Sequence, residues 1–297
     1  KGVEDKMAEI LISQAEKVYI LHGVQEDLRS DGRSRLDYRS MEIETNIVSH
    51  ANGSARIRLA QTDILATVKV ELASPLPLEP DRGIITFFVD CSANATPEFE
   101  GRGGEDLAVD ISRTLTRAYI SSKAFDLTQL CVIPGTHCWI LHVDILILEC
   151  GGNLYDAASI AVKAALFNTQ IPLISINSSD AGNTEIELSD DPYAGVKVQM
   201  ENVPCLLSFN KIGNNFVIDP SPEEEACSQG ILVIGYTPLG QVCAIKKSGM
   251  GSFTSKTVNT ILEVGVNVAK SLHKALIKLL QEEEEIPLQY ENRGFLR

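Results

Sequence analysis

The residues whose types are best suited to catalysis or metal binding lie in an acidic segment that runs from Asp219 to Glu225 and contains three consecutive glutamates. Carboxylates at this spacing can hold a divalent cation or supply a general acid. Adjacent glutamates between two strands are, however, usually solvated. The residue types alone therefore favour a solvated loop, and we expect no metal site and no cofactor.

A second group of interest is basic. Arg113 and Arg117 are one helical turn apart, and at roughly 100° per residue they fall opposite the apolar face of their helix. Arg102 in the preceding glycine-rich stretch and Lys123 at the helix end extend them into a basic strip that could track phosphates. The alternative is an ordinary solvated helix face on which the arginines pair with Asp110.

Common catalytic signatures are missing from the chain. It contains no G-x-S-x-G, no Walker loop and no H-E-x-x-H. His142 and Asp144 fall on one face of a predicted strand, where we expect a structural pair rather than a catalytic one. Seven cysteines without a C-x-x-C pair argue against a disulfide framework and a zinc site, so we expect reduced, mostly buried thiols.

Composition limits the class of partner. A net charge of −14 would repel a polyanion on average, so contact with nucleic acid requires a local basic strip. Part of the acidity lies in Glu282 to Glu285, which we expect to form a solvated tail. The longest apolar run, Val143 to Leu148 with Asp144 inside it, is too short to cross a bilayer, so no membrane partner is expected. The first residues predict no secretory signal, and Met7 is a candidate start.

Hydrophobic periodicity predicts strands followed by helices, twice. The first set comprises strands at 39–48, 54–59, 64–72, 84–90 and 139–149, with helices at 107–118 and 156–167. The second comprises strands at 206–212, 216–219, 231–236 and 242–245, with a helix at 257–280. The strand at 139–149 is apolar on both faces, which is typical of a central strand. This order predicts an α+β fold with two strand-then-helix units.

Four segments are informative when taken together: Tyr19 to Arg33, Phe87 to Gly104, Val143 to Ala157 and Ile186 to Tyr193. With them the chain resembles the RNase PH family, and the resemblance extends from Ser13 to Lys278. Within that family the chain resembles the ring subunit of the eukaryotic RNA exosome that corresponds to the inactive archaeal ring subunit. The resemblance implies the RNase PH fold, also described as ribosomal protein S5 domain 2-like. It divides the chain into a helical extension (1–30), domain 1 (31–195) and domain 2 with a C-terminal helix and acidic tail (196–297).

The resemblance also identifies what the chain lacks. Active members degrade RNA from its 3′ end by phosphorolysis and hold phosphate with a D-G-G-[ST]-[RS]-T type loop at a helix N-terminus. The equivalent loop here, Glu149 to Tyr155, has neither the hydroxyl nor the cationic residue. Of the two acids that serve metal binding and protonation in active members, the first falls on Glu225 and the second on Ile231. We therefore expect no catalytic residues.

The function that the resemblance implies is a non-catalytic exosome ring subunit that supports 3′ to 5′ RNA processing, including that of ribosomal RNA, and RNA degradation. Its partners would be other RNase PH-like subunits, S1/KH cap subunits, a separate 3′ to 5′ exoribonuclease and single-stranded RNA, in the nucleus, nucleolus and cytoplasm. Arginines on the equivalent helix of the archaeal subunit contact RNA, which implies the same role for Arg113 and Arg117. The alternatives are an active phosphorolytic exoribonuclease that uses Asp219 and Glu225 with Mg²⁺, and a self-assembling chaperone-like ring without an RNA role.

Overall fold

The amino-terminal helix, α1 (Gln14–Gln25), begins at a reciprocal cap. The backbone N–H of Ser13 donates to the Glu16 carboxylate at 2.8 Å, and the Glu16 N–H donates to the Ser13 hydroxyl at 3.3 Å. Val24 is the buried residue of α1 and packs in a small cluster with Ile212 and Val217 from the second half of the chain. The computed structural model describes residues 12–121, 124–178, 184–188 and 195–285.

The first half is built on a mixed six-stranded sheet. Its strands are β1 (Met41–Thr45), β2 (Gly53–Leu59), β3 (Thr62–Ala73), β4 (Ile84–Cys91), β5 (Cys131–Ile133) and β6 (His137–Glu149). The order is β1-β2-β3-β6-β4, with β5 also paired to β6. The β4–β6 pair is parallel and the other pairs are antiparallel. The strand predicted to be central, β6, lies between β3 and β4, which confirms that prediction.

Two helices pack on the inner face of this sheet. Helix α2 (Glu105–Thr116) contacts β4 and continues into a π-helical turn, Arg117–Ser121. Helix α3 (Leu154–Phe167) contacts β2 and β3 and also the second half of the chain. Every residue of α3 from Leu154 to Leu166 is buried. Its many alanines permit this close packing, because they add little volume and lose no side-chain entropy.

The second half is a four-stranded antiparallel sheet with the order β12-β11-β13-β14. Its strands are β11 (Cys205–Ile212), β12 (Asn215–Ile218), β13 (Gly230–Tyr236) and β14 (Val242–Ser248). Helix α4 (Pro222–Cys227) connects β12 to β13, and helix α5 (Ser255–Glu285) packs on β11 and β13. Between the halves lie two short antiparallel pairs, formed by β7 (Gln170–Pro172) with β10 (Gly195–Lys197) and by β8 (Ile174–Ser178) with β9 (Thr184–Leu188).

This architecture confirms the predicted α+β class and the repeated order of strands followed by helices. The two acidic clusters, in contrast, form helices instead of the predicted loop and tail, although Glu282 and Glu284 are exposed as expected. The segment around Glu224 forms α4 instead of a solvated loop, and Glu224 itself is buried. The glutamates at 282–285 extend α5, where Glu283 accepts the Thr45 N–H at 2.7 Å and Glu284 pairs with Lys197. In the described parts of the chain, no helix has the length and apolar character to cross a membrane.

Candidate functional site

The loop between β6 and α3 is fixed to the second half of the chain. Gly152 has a φ of +82°, and a Cβ atom there would lie 2.8 Å from the Pro220 carbonyl oxygen, so only glycine fits without displacement. The Arg39 guanidinium donates to the carbonyl oxygens of Gly151 at 2.5 Å and Gly152 at 3.2 Å. The Thr62 hydroxyl donates to the same Gly152 carbonyl at 2.7 Å. These contacts place the N-terminus of α3 next to α4.

A carboxylate of the chain occupies the N-terminus of α3. Asn153 has a left-handed backbone with a φ of 59°, and its N–H donates to Glu225 Oε1 at 2.7 Å. N–H groups at this end of a helix attract anions, because they are unpaired within the helix and lie at the positive end of its dipole. Burial raises the pKa of Glu225 to about 7, against the opposing effects of the Asn153 N–H and Arg39. An internal acid therefore takes the position that an anionic ligand would require.

Next to this contact lies an open cleft of about 460 Å³. Its lining contains two glutamates, Glu98 and Glu225, and one cation, Lys17 of α1. The remaining lining residues are Thr96, Cys150, Gly152, Pro222 and Ala226. An entering phosphate would meet two carboxylates. Lys17 is a residue that sequence reasoning missed, because it lies far from the loop in sequence.

Asp219, one of the two acids named for the catalytic alternative, is fully buried and accepts several hydrogen bonds. Its Oδ1 accepts from Arg39 Nη2 and from Asn153 Nδ2, both at 2.8 Å. Its Oδ2 accepts from the Arg39 N–H at 2.7 Å and Nε at 3.0 Å, and from Arg33 Nη1 at 3.1 Å. Both oxygens are engaged by protein donors, so the Asp219 carboxylate has no free position toward the cleft for a metal ion.

The neighbouring acid, Glu224, forms a buried ion pair with Arg29. Arg29 Nε donates to Glu224 Oε1 at 2.8 Å, and its Nη2 contacts Glu224 Oε2. The same guanidinium donates to the carbonyl oxygens of Ile218 at 3.0 Å and Asp219 at 2.7 Å. The arginines near the first strand therefore hold the acidic segment in place. Their clustering in sequence is the signal that could have predicted this role.

A third acid, Asp156 on α3, lies behind the loop and is completely buried. Its Oδ2 accepts from the Tyr38 hydroxyl at 2.7 Å and from Asn153 Nδ2 at 3.2 Å, while its Oδ1 has no hydrogen-bond partner in the described residues. Burial raises the pKa of Asp156 to about 7, and the hydrogen bonds from Tyr38 and Asn153 only partly oppose this. Sequence reasoning did not single out Asp156, because it lies at the start of a predicted apolar helix.

The described residues contain no group of three or more His, Cys, Asp or Glu side chains arranged to hold a metal ion. Ile231 lies in β13, opposite Asn210 of β11 and Ser248 of β14. The predicted structural pair of His142 with Asp144 is wrong: His142 Nδ1 contacts the Thr86 hydroxyl at 3.0 Å, and its Nε2 contacts Glu71 at 3.3 Å. None of the seven cysteines, all of which lie in the described residues, is part of a disulfide, and most are half-buried rather than fully buried.

The structure describes three of the four residues of the predicted basic strip. Arg113 and Arg117 are both exposed, and neither side chain has a hydrogen bond or an ion pair within the described part of the chain. Arg102 is also exposed, and its Nε lies 3.5 Å from Glu105 Oε1, which makes an ion pair. Lys123 lies outside the described residues. The alternative in which the arginines pair with Asp110 is not what the structure has, since Asp110 pairs with Lys246.

The comparisons with known proteins agree with this architecture. Residues 37–172 match domain 1 of the 3′ exoribonuclease family, the family of RNase PH domains, and residues 202–268 match its domain 2. The exosome complex component Rrp42 of Thermococcus kodakarensis is 36% identical, over 88% of this chain and 93% of its own. The component of that name from Methanothermobacter thermautotrophicus is 34% identical, over 84% of this chain and 90% of its own.

A solved structure leads to the same family. A chain from the Archaeoglobus fulgidus exosome with RNA bound to the active site is 30% identical and has a TM-score of 0.75, over 88% of this chain and 97% of its own. The fold, both domain matches and relatives along most of the chain confirm the resemblance drawn from the sequence. The chain therefore belongs to the RNase PH family of 3′ exoribonucleases.

Proposed function

We propose that this chain is a non-catalytic ring subunit of an RNA exosome, which supports 3′ to 5′ RNA processing and degradation and guides single-stranded RNA toward a nuclease elsewhere in the assembly. The observation that carries the proposal is the Glu225 carboxylate, 2.7 Å from the Asn153 N–H at the N-terminus of α3. Phosphorolysis requires inorganic phosphate at such a position. The similarity to exosome components supports the ring assignment.

Two negative charges about 4 Å apart repel each other by about 4 kcal/mol at an effective dielectric constant near 20, so phosphate next to Glu225 requires that carboxyl to be protonated. Burial raises the pKa of Glu225 to about 7, which makes this protonation accessible near neutral pH. The obstacle that remains at any pH is steric, because the Glu225 side chain already occupies the Asn153 N–H. Glu98 adds a second carboxylate to the cleft, whereas Lys17 is exposed and therefore screened. Asp219 cannot recruit a compensating metal ion while Arg33, Arg39 and Asn153 engage both its oxygens.

The RNA-guiding part of the proposal depends on α2. Exposed arginines one turn apart present charge that can track successive phosphates without reading bases. The chain's net charge of −14 confines such contact to this local surface and leaves the rest suited to protein partners. These partners would be other RNase PH-like subunits, S1/KH cap subunits and a separate 3′ to 5′ exoribonuclease, in the nucleus, nucleolus and cytoplasm.

The test is to incubate the purified full chain with single-stranded RNA, orthophosphate and Mg²⁺ and to measure nucleoside diphosphates. We expect none to be released. Their release, abolished by Glu225→Ala, would replace the proposal with the active phosphorolytic enzyme. Purification of the tagged chain from cells, followed by mass spectrometry, tests the ring: we expect several RNase PH-like paralogues, and recovery of the chain alone as a homohexamer would contradict the assignment. Fluorescence microscopy of the same tagged chain tests its location.

A further inference from the structure

On α2, the acid nearest to Arg113 in sequence is Asp110, and it is held by the second half of the chain. Asp110 precedes Arg113 by one turn on α2, a spacing at which opposite charges ordinarily pair. Here Lys246 Nζ, from β14, forms an ion pair with Asp110 Oδ2. The Tyr155 hydroxyl on α3 donates to the same oxygen at 2.5 Å. Asp110 is therefore paired away from the arginine next to it.

Lys246 is itself fixed in position. Its Nζ donates to the Tyr155 hydroxyl at 3.0 Å and lies 4.7 Å from the centre of the Tyr155 ring, which is a cation–π contact. The Lys246 side chain is 19% exposed. Its neighbour Lys247 is exposed and donates to the Gly249 carbonyl instead. The contact with Asp110 is thus a built feature of one lysine and not a general property of the strand.

The cluster keeps Asp110 ionised and satisfied. Burial by itself would raise the pKa of Asp110, but hydrogen bonds from Lys246 and Tyr155, with the charges of Lys246 and Arg113, outweigh it and lower that pKa below its ordinary value. Arg113 lies close enough to contribute to this balance, yet it forms no ion pair within the described part of the chain. The charge of Asp110 is neutralised from β14 rather than from α2.

We propose that Lys246, held against Tyr155, is a positioning residue that neutralises Asp110 so that Arg113 and Arg117 remain free to bind RNA phosphates. This inference rests on the proposed RNA-guiding function and adds a physical dependence to it. The second half of the chain sets the electrostatic state of a surface that belongs to the first half. Without Lys246, Asp110 would pair with Arg113 and would also repel an approaching phosphate.

The test measures binding of a fluorescein-labelled single-stranded oligouridylate to the full chain by fluorescence anisotropy, over a range of salt concentrations. We expect Lys246→Met to weaken affinity about twofold, the effect of one ion pair on a helix surface. Adding Asp110→Asn to that variant should restore affinity, since no carboxylate is left to compete. Lys246→Arg keeps the charge and should bind like the parent chain. Lys247→Met is the matched control, and its effect should not depend on Asp110→Asn.

The outcomes distinguish the positioning role of Lys246 from the RNA-guiding function. Failure of Asp110→Asn to rescue Lys246→Met would overturn the positioning role of Lys246. So would equal losses in Lys246→Met and Lys247→Met with no dependence on Asp110. If Arg113→Gln with Arg117→Gln leaves both affinity and salt dependence unchanged, the RNA-guiding function itself fails, and the role of Lys246 fails with it. Circular dichroism melts separate these results from unfolding; if Lys246→Met does not fold, Asp110→Asn alone should still bind at least as tightly as the parent chain.

Discussion

Asp156 should make the free energy of unfolding fall as pH rises. Its carboxyl is fully buried, one oxygen has no partner in the described residues, and burial raises its pKa from 3.8 to about 7. The folded state therefore binds the proton more tightly than the unfolded state does. The stabilisation is fully present below about pH 4 and is lost as pH rises through about 7.

The magnitude follows from the shift. Roughly three pKa units at 1.36 kcal/mol each correspond to about 4 kcal/mol of unfolding free energy, of which about 2.5 kcal/mol is lost between about pH 5 and about pH 8. The substitution Asp156→Asn removes the ionisable group and keeps its shape. Its oxygen can still accept from Tyr38, and its new amide N–H lies near Ser208. The variant should gain stability relative to the parent chain as pH rises.

The assay is urea unfolding followed by the fluorescence of Trp139, the chain's one tryptophan, which is buried in β6. The quantity compared is the difference in unfolding free energy between the parent chain and Asp156→Asn at the two pH values. Asp144→Asn, at an exposed position of the same strand, is the control and should show no such change. A difference that stays constant with pH, or that favours the parent chain at high pH, would show that burial of Asp156 does not make stability depend on pH.

Three further results are expected from the same unfolding assay. Glu225→Gln should keep the hydrogen bond from Asn153. It should also remove the part of the stability loss above about pH 5 that Glu225 causes, because burial raises the pKa of Glu225 to about 7. Arg29→Met should cost about 3–5 kcal/mol by leaving Glu224 buried and unpaired, and adding Glu224→Gln should recover part of it. Gly152→Ala should destabilise by more than Gly135→Ala: both glycines have a φ of +82°, but a Cβ meets a backbone oxygen only at the first. Equal losses at the two glycines would mean that close packing of the loop does not matter.

Local pattern was sufficient for much of the fold. The segment that forms β6 has apolar residues on both alternating faces, and this predicted an interior strand. The reason is that a strand with neighbours on both sides is largely buried and has few polar side chains. The helical spacing of Arg113 and Arg117 predicted a shared exposed face, since residues one turn apart lie above one another. The ends of α5 were less predictable: glutamates are good helix formers, and contacts with Thr45 and Lys197 extend the helix through 285.

The candidate site was predicted by position but not by its contacts. The sequence located the Gly151–Gly152 loop and the acidic segment, and the family resemblance predicted that this loop does not bind phosphate. It did not place Glu225 on the Asn153 N–H, and it took Glu224 for a solvated residue, whereas Glu224 is buried against Arg29. A charged side chain looks the same in sequence whether water or a buried partner satisfies it.

Residue pattern along the chain was enough to predict the class of fold, the interior strand, the arginine pair on α2 and the family. The pairing of charges could be seen only in the folded chain: Glu224 with Arg29, Asp219 with Arg39, and Asp110 with Lys246. Helix and strand periods act between near neighbours in the chain, whereas these ion pairs join residues that meet only when the two halves pack around α3.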